Sequence, residues 1–371
     1  MTKNCPSNSV IKHEAHYGGL MDSNMAASDF SPSAREVLTF LSGSPERLAL
    51  LAELQGHSLS PAELKARADV SEKTTQELLE AGVERDWIVE REDVAHYTLT
   101  VAGDLVLQAY VNIELLDQDS IAFLATSTTR LRILEYLEQR SLSPVELNER
   151  ISVADPTVYR ALHSLEERDL LDWNQEPKLT TIGVETYEAY RKLAATVHWL
   201  TAHKQVLNPL GDVARTLPAY ALAQSDTEII VNTLADPDAV FNHLEDRITA
   251  LSPERIQGVL PSMCAFIDRM RRPLLDEGAE VDVVVDEAVL DVARASYPAV
   301  LDSAMDAESV ELFVYPEKLR FGLMALNGSI FVLAYNEQSL LACIEAVSDV
   351  LGTWATDIYQ AHQQAAYRHN D

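Results

Sequence analysis

The chain has 371 residues, 47% apolar and 7% aromatic, enough for two or three packed domains and too apolar to be disordered over most of its length. Its 58 acidic and 29 basic residues leave a net charge of −29, and only eight of the basic residues are Lys. Three Cys, at positions 5, 264 and 343, exclude a disulfide framework and a Cys-type zinc site, and no run approaches the ~20 apolar residues of a membrane span.

The acidity is spread, with −1 on residues 1–32, −13 on 33–203 and −15 on 204–371. An even, Lys-poor acidic surface suits a halophilic protein kept hydrated in molar salt, where the Debye length is ~3 Å and self-repulsion is screened. No apolar segment with a small-residue cleavage site opens the chain, so a cytoplasmic, reducing location is expected. Residues 1–32 are polar and non-periodic and read as a disordered tail, with Met21 or Met25 as candidate starts.

Residues 33–116 and 117–203 then carry one pattern twice. SPERLALLAEL from Ser44 matches STTRLRILEYL from Ser127, and the stretch from Ser60 matches that from Ser143, at one offset of 83. Arg47 faces Arg130, Glu63 faces Glu146, and Glu84-Arg85-Asp86 faces Glu167-Arg168-Asp169; the match resumes at offset 80, where Gly103 faces Gly183. Each unit reads as three helices and a β-hairpin. Ser143-Pro144 opens one helix as N-cap and first-turn proline. Asp155-Pro156 opens the next, with Val158, Leu162 and Leu165 inward. The hairpins are Trp87–Glu90 with Ala95–Leu99, and Leu170–Trp173 with Lys178–Thr180. This is the order of a winged helix, whose third helix enters a major groove.

The run from Val153 to Leu170, and the closing segments Tyr97–Thr100 and Leu179–Thr181, resemble archaeal and bacterial winged-helix transcription regulators. The resemblance implies double-stranded DNA as partner. Where such families usually place Gly after Glu-Arg, this chain has Asp86 and Asp169. DNA contact needs polar and basic groups on the third helix and a cation on the wing. The second unit offers Thr157, Tyr159, Arg160 and His163, with Lys178 on its wing. The first offers Ser71, Lys73, Thr74 and Thr75, with Arg91 on its wing, opposed by Glu72 and Glu77. On charge the second helix is the better reader.

Helices are expected to follow each wing, at 104–116 and 184–207. Tyr187, Tyr190, Ala194, Val197 and Thr201 form a stripe on the second, buried in its own domain or across a two-fold axis. A homodimer on a palindromic operator is the favoured assembly. His198 and His203, five apart, do not share a face and are no metal pair; no metal or cofactor is expected.

From 204 to 371 short apolar strands at 228–231, 256–260, 281–285 and 310–315 alternate with helical stretches at 237–250, 263–277 and 287–304. That pattern predicts an α/β domain with a mainly parallel sheet. Asn327-Gly328 between apolar runs predicts a hairpin over 321–335, and a last helix over 346–367 carries Trp354. The strand order, the Tyr315-Pro316-Glu317 corner and the last helix resemble the regulatory domain of methanogenesis-regulator-type archaeal winged-helix proteins, which implies sensing of a small effector of open identity. Strand ends in an open α/β sheet point to Asn232, Ser262, Asp286 and Glu317 as ligand candidates. Asp282, Asp286 and Glu287 read as solvated surface, Arg269, Arg271 and Arg272 as partners of nearby acids, and Cys264 and Cys343 as small buried residues.

Catalytic signatures are absent: there is no His-x-Lys, P-loop, dinucleotide fingerprint, nucleophile elbow or HExxH. The expectation is therefore a regulator of mixed α+β and α/β class and not an enzyme: two tandem winged helices read DNA, and a C-terminal domain senses a ligand. The alternative is an adaptor whose winged helices bind protein.

Overall fold

A computed structural model describes residues 32–91, 94–174, 176–262, 278–336 and 339–369. The expected tail over 1–31, the stretch 263–277 with Cys264, Arg269, Arg271 and Arg272, and Cys5 lie outside the described residues.

The first repeat runs α1 (Pro32–Ser42), α2 (Pro45–Leu54), α3 (Pro61–Ala68), α4 (Glu72–Glu84), β1 (Ile88–Arg91), β2 (His96–Leu99) and α5 (Val101–Val111). The second runs α6 (Gln118–Ala125), α7 (Thr128–Gln139), α8 (Pro144–Ile151), α9 (Asp155–Glu166), β3 (Leu171–Asp172), β4 (Lys178–Leu179) and α10 (Thr181–Ala202). Short-range chemistry sets the same boundaries twice. Ser60 and Glu63 form a capping box on α3, and Ser143 and Glu146 form its copy on α8. Thr100 and Thr180 cap α5 and α10 by accepting from the amides of Gly103 and Gly183. These caps start the two helices earlier than their apolar stripes alone suggest.

The repetition reaches tertiary contacts. Phe40 lies under the guanidinium groups of Arg47 and Arg85, at 4.6 and 4.4 Å; Phe123 lies under Arg130 and Arg168, at 3.9 and 4.3 Å. Arg47 donates to the Phe40 carbonyl and Arg130 to that of Phe123. Asp86 and Asp169, where the resemblance leads one to expect Gly, sit in the left-handed region at φ 55° and 57°. Asp tolerates that conformation better than most residues, and the Asp carbonyls accept from Thr100 and Thr180.

The stripe on α10 is buried within its own chain, where α10 packs on α1, α5, α7 and α12 (Ala219–Gln224). After α10, a short helix α11 (Lys204–Leu207) and two 3-10 turns lead back along α5.

The C-terminal sheet holds β5 (Thr227–Val231), β6 (Arg255–Leu260), β7 (Glu280–Asp286), β8 (Val310–Tyr315), β9 (Phe321–Leu326), β10 (Ser329–Asn336), β11 (Ser339–Val347) and β12 (Tyr367–Arg368), in the order β12-β8-β7-β6-β9-β10-β11-β5. Among the described residues only β6–β7 and β7–β8 pair in parallel. The sheet is mixed, and its parallel part is narrower than expected. Residues 339–345, given no element by the sequence pattern, and 346–347, expected to open the last helix, form β11 between β10 and β5, so that helix starts later, at Asp349. The Asn327-Gly328 turn, at φ 47° and 84°, closes the β9–β10 hairpin as expected.

One sheet face is covered by α13 (Ala239–Leu251), through Val240, Leu244 and Ile248. The other is covered by α16 (Asp349–Ala365), whose Leu351, Trp354 and Tyr359 join a core continuous with both repeats. Helices α14 (Glu287–Ser296) and α15 (Pro298–Met305) pack on β7 and β8. No described helix is long and apolar enough to cross a membrane.

Candidate nucleic-acid interface

Helix α9 buries Val158, Ala161, Leu162 and Leu165 and turns Tyr159, Arg160 and His163 outward. Two aromatic groups on that face are held in place. Tyr159 and His163, one turn apart, lie against Trp173 just after β3, with ring centroids 5.7 and 4.9 Å away. Sequence reasoning passed over Trp173, although its position in the wing opposite an i, i+4 aromatic pair was the available signal. Arg160 is exposed, with Nε on the Pro156 carbonyl at 3.1 Å, which leaves its terminal nitrogens outward. His163 meets Glu166 at 3.5 Å. Thr157 is half-buried, and exposed Lys178 pairs across the wing with Asp172.

Helix α4 presents Lys73, Gln76, Glu77 and Glu80 to solvent. Lys73 meets Glu77 at 3.5 Å and Gln76 donates to Glu80 at 2.9 Å, so its polar groups are tied to acids on the same helix. Ser71 is the N-cap, accepting from the Thr74 amide at 3.0 Å. Thr75 is a correction: it is buried, with its hydroxyl donating to the Ser71 carbonyl, and it faces the core of its own unit. Arg91 is exposed at the end of β1.

The four ligand candidates are not gathered into one site. Asn232 spends its amide on the Leu340 carbonyl and the Val240 amide. Asp286 is buried and accepts from the amides of Val289 and Leu319. Ser262 is half-buried and Glu317 exposed. The acids read as solvated are mostly internal: Asp282 is buried against Arg255 at 2.5 Å, and only Glu287 is exposed. Glu345 is also buried, taking Arg247 at 2.6 Å and His243 at 2.7 Å. Glu228, His243 and Glu345 bring metal-ligating atoms within 4.8 Å of one another, a cluster that the β11–β5 pairing reveals. Cys343 is fully buried, and burial pushes its thiol far above the usual range.

A cleft of about 510 Å³ opens where α5, α10 and α12 meet, lined by Leu105, Ala109, Ile113, Leu193 and Tyr220, with Lys192 at its rim. The segment after α10 ties this junction together. Arg215 donates to Asp104 of α5 at 2.7 Å and to the Leu99 carbonyl at 2.9 Å, while Asn208 accepts from the Ala102 amide. Lys204 pairs with Asp86 at 2.5 Å. The chain between the second repeat and the sheet is thereby fastened to the first repeat.

The family described as methanogenesis regulatory protein FilR1, middle domain, matches residues 237–365. The family described as HVO_A0261 N-terminal domain matches twice, over 35–117 and 118–200. The chain thus carries two HVO_A0261-type N-terminal domains followed by a FilR1-type middle domain, the make-up of a transcription regulator. No curated protein sequence matches this regulator. Among solved structures, TrmBL2, reported as an archaeal chromatin protein with a novel mode of DNA binding, is similar at a TM-score of 0.31 and 12% identity, over 71% of this chain and 98% of that one. CalO1, a methyltransferase of calicheamicin biosynthesis, reaches 0.25 and 13% identity over 76% of this chain and 61% of its own. The dimethyltransferase RosA from Streptomyces davawensis reaches 0.24 and 13% identity, over 76% and 63%. The chain spans about three fifths of each methyltransferase, and overlap this loose carries no argument about either DNA or methyl transfer.

Proposed function

We propose that this regulator binds double-stranded DNA through α9 and α4, in the manner of winged helices, and that its C-terminal domain couples binding to a small effector. The observation that carries the reading is the outward face of α9, where Arg160 is exposed beside an aromatic pair held by Trp173. A cation beside fixed aromatic edges suits phosphate and base contact. The net charge of −29 does not oppose it in molar salt, where counterion release contributes little and the field of the protein is screened.

The effector belongs in the cleft among α5, α10 and α12. Its volume lies within the ~300–1,000 Å³ of small-molecule sites, and its walls combine apolar side chains with polar ones that include Glu114, Glu185, Glu188 and Lys192. A ligand there would press on the terminal helices of both repeats and on the segment leading to the sheet, and so shift the placement of α4 relative to α9.

The test is selection of bound duplexes from a random pool in ~2 M KCl, with wild type and Arg160→Ala side by side. Enrichment that is lost with Arg160→Ala supports readout by α9. Enrichment that survives moves the reader to α4. No enrichment at any salt removes DNA as a partner and makes the Tyr159–Trp173–His163 surface a protein-binding site.

A further inference from the structure

The two repeats are paired with one another. Helix α1 packs on α6, its own counterpart at offset 83, and α5 packs on α10, its counterpart at offset 80. The side-chain neighbourhoods correspond: Tyr190 of α10 lies within electrostatic reach of Arg35 on α1, and Tyr110 of α5 lies beside Gln118 of α6. Arg35 and Gln118 are equivalent positions, as are Tyr190 and Tyr110. A contact in which residue i of one unit meets j of the other, while j of the first meets i of the second, is the mark of a two-fold interface. The departure from symmetry has a local cause. Helix α10 runs a further eleven residues beyond the equivalent of Val111, and α1 uses that extension through Ser33 and His198 at 3.5 Å.

A two-fold relation between units carries their third helices with it, so α4 and α9 are related as the reading helices of a dimer are. Their outward faces differ, with Lys73 and Gln76 on one against Tyr159, Arg160 and His163 on the other. We propose that one chain, through the two-fold pairing of its own repeats, occupies both half-sites of a single inverted operator whose halves differ in sequence. This rests on the DNA-binding reading, and replaces the homodimer as the means of reaching two half-sites.

The full chain is mixed with a duplex of about 40 base pairs enriched from the random pool, long enough for two half-sites one or two turns apart. Sedimentation equilibrium in high salt gives the stoichiometry, and hydroxyl-radical footprinting gives the grooves. The expected result is one chain per duplex protecting two major grooves on one face. Arg160→Ala then loses protection over one half and Lys73→Ala over the other, each weakening binding about tenfold. Both side chains are exposed, so neither change threatens the fold. Two chains per duplex, with Arg160→Ala weakening both halves alike, overturns the proposal and leaves DNA binding intact. A single protected groove also overturns it. Absence of binding to every duplex overturns the DNA reading and this proposal together.

Discussion

Two glycines show how far a single residue can be reasoned. Gly103 and Gly183 occupy equivalent positions in the first turn of α5 and α10, and a Cβ on either would fall within the contact radius of the Trp87 or Leu170 carbonyl oxygen. Backbone cannot retreat as a side chain can, so Gly183→Ala should cost about 2–3 kcal/mol and lower the melting midpoint by roughly 3–4 °C. Gly352, in the first turn of α16, has nothing within 4 Å of its missing Cβ. There Gly352→Ala should stabilise by ~0.5–1 kcal/mol, and thermal melts of the two variants check both signs. His203 supplies a pH dependence. Burial holds its imidazole below the ordinary value of 6.5, so the unfolded chain takes up a proton before the folded one does. Its share of stability is intact above pH 6.5 and is lost as pH falls through the depressed folded value. Melts at pH 7.5, 6.5 and 5.5 should show the midpoint falling only below 6.5, with a shallower fall in His203→Gln.

At the scale of elements, the tie between α5 and the segment after α10 can be isolated. Asp104 is 2% exposed and holds Gln55 and Arg215. Arg215→Met leaves a buried carboxylate without its cation and should cost about 3–5 kcal/mol; adding Asp104→Asn should restore most of it. Denaturant titration of the single and double variants measures both, and equal loss in the two would mean that packing of the Arg215 stem matters more than its charge. The helices and hairpins of both repeats were legible because their signals are local, Ser-Pro caps and i, i+3 and i, i+4 stripes, whereas the Thr caps that start α5 and α10 earlier were passed over. Thr75 was misjudged because its helix face depends on which side of α4 meets α2 and α3, and Lys73, Thr74 and Thr75 sample three faces in succession. β11 was missed because 339–347 ends on Ala346-Val347, just ahead of Ser348, which suits a helix entry as well as a strand until β10 and β5 flank it.

The whole molecule carries a net charge of −29 spread over both repeats and the sheet domain. In dilute buffer that charge repels itself across the fold, and at molar salt it is screened. The melting midpoint should therefore rise steadily from 0.2 to 2 M KCl, and ~3 kcal/mol of relief would move it roughly 4 °C. A midpoint independent of KCl would show that the acids are already compensated in the folded state. The continuous core from α1 to α16 predicts a further outcome: the repeats and the sheet should unfold in one transition by calorimetry, since Trp354 donates to Thr216 and joins the core of the repeats.

The sequence by itself determined the repeat, its two offsets, the Ser-Pro helix starts, the hairpin after each third helix, the Asn-Gly hairpin and the acidic, Lys-poor composition. Each is written in residues close together in the chain or in a sum over all of them. Only the tertiary structure decided what the long-range contacts decide. It placed the α10 stripe inside its own chain, made the sheet mixed, buried Asp282, Asp286 and Glu345, opened a cleft where three helices meet, and paired the two repeats through equivalent helices. The reason is the same in every case. A local pattern states that a face is apolar or that a carboxylate is present, but which partner covers that face or answers that charge depends on chain tens to hundreds of residues away.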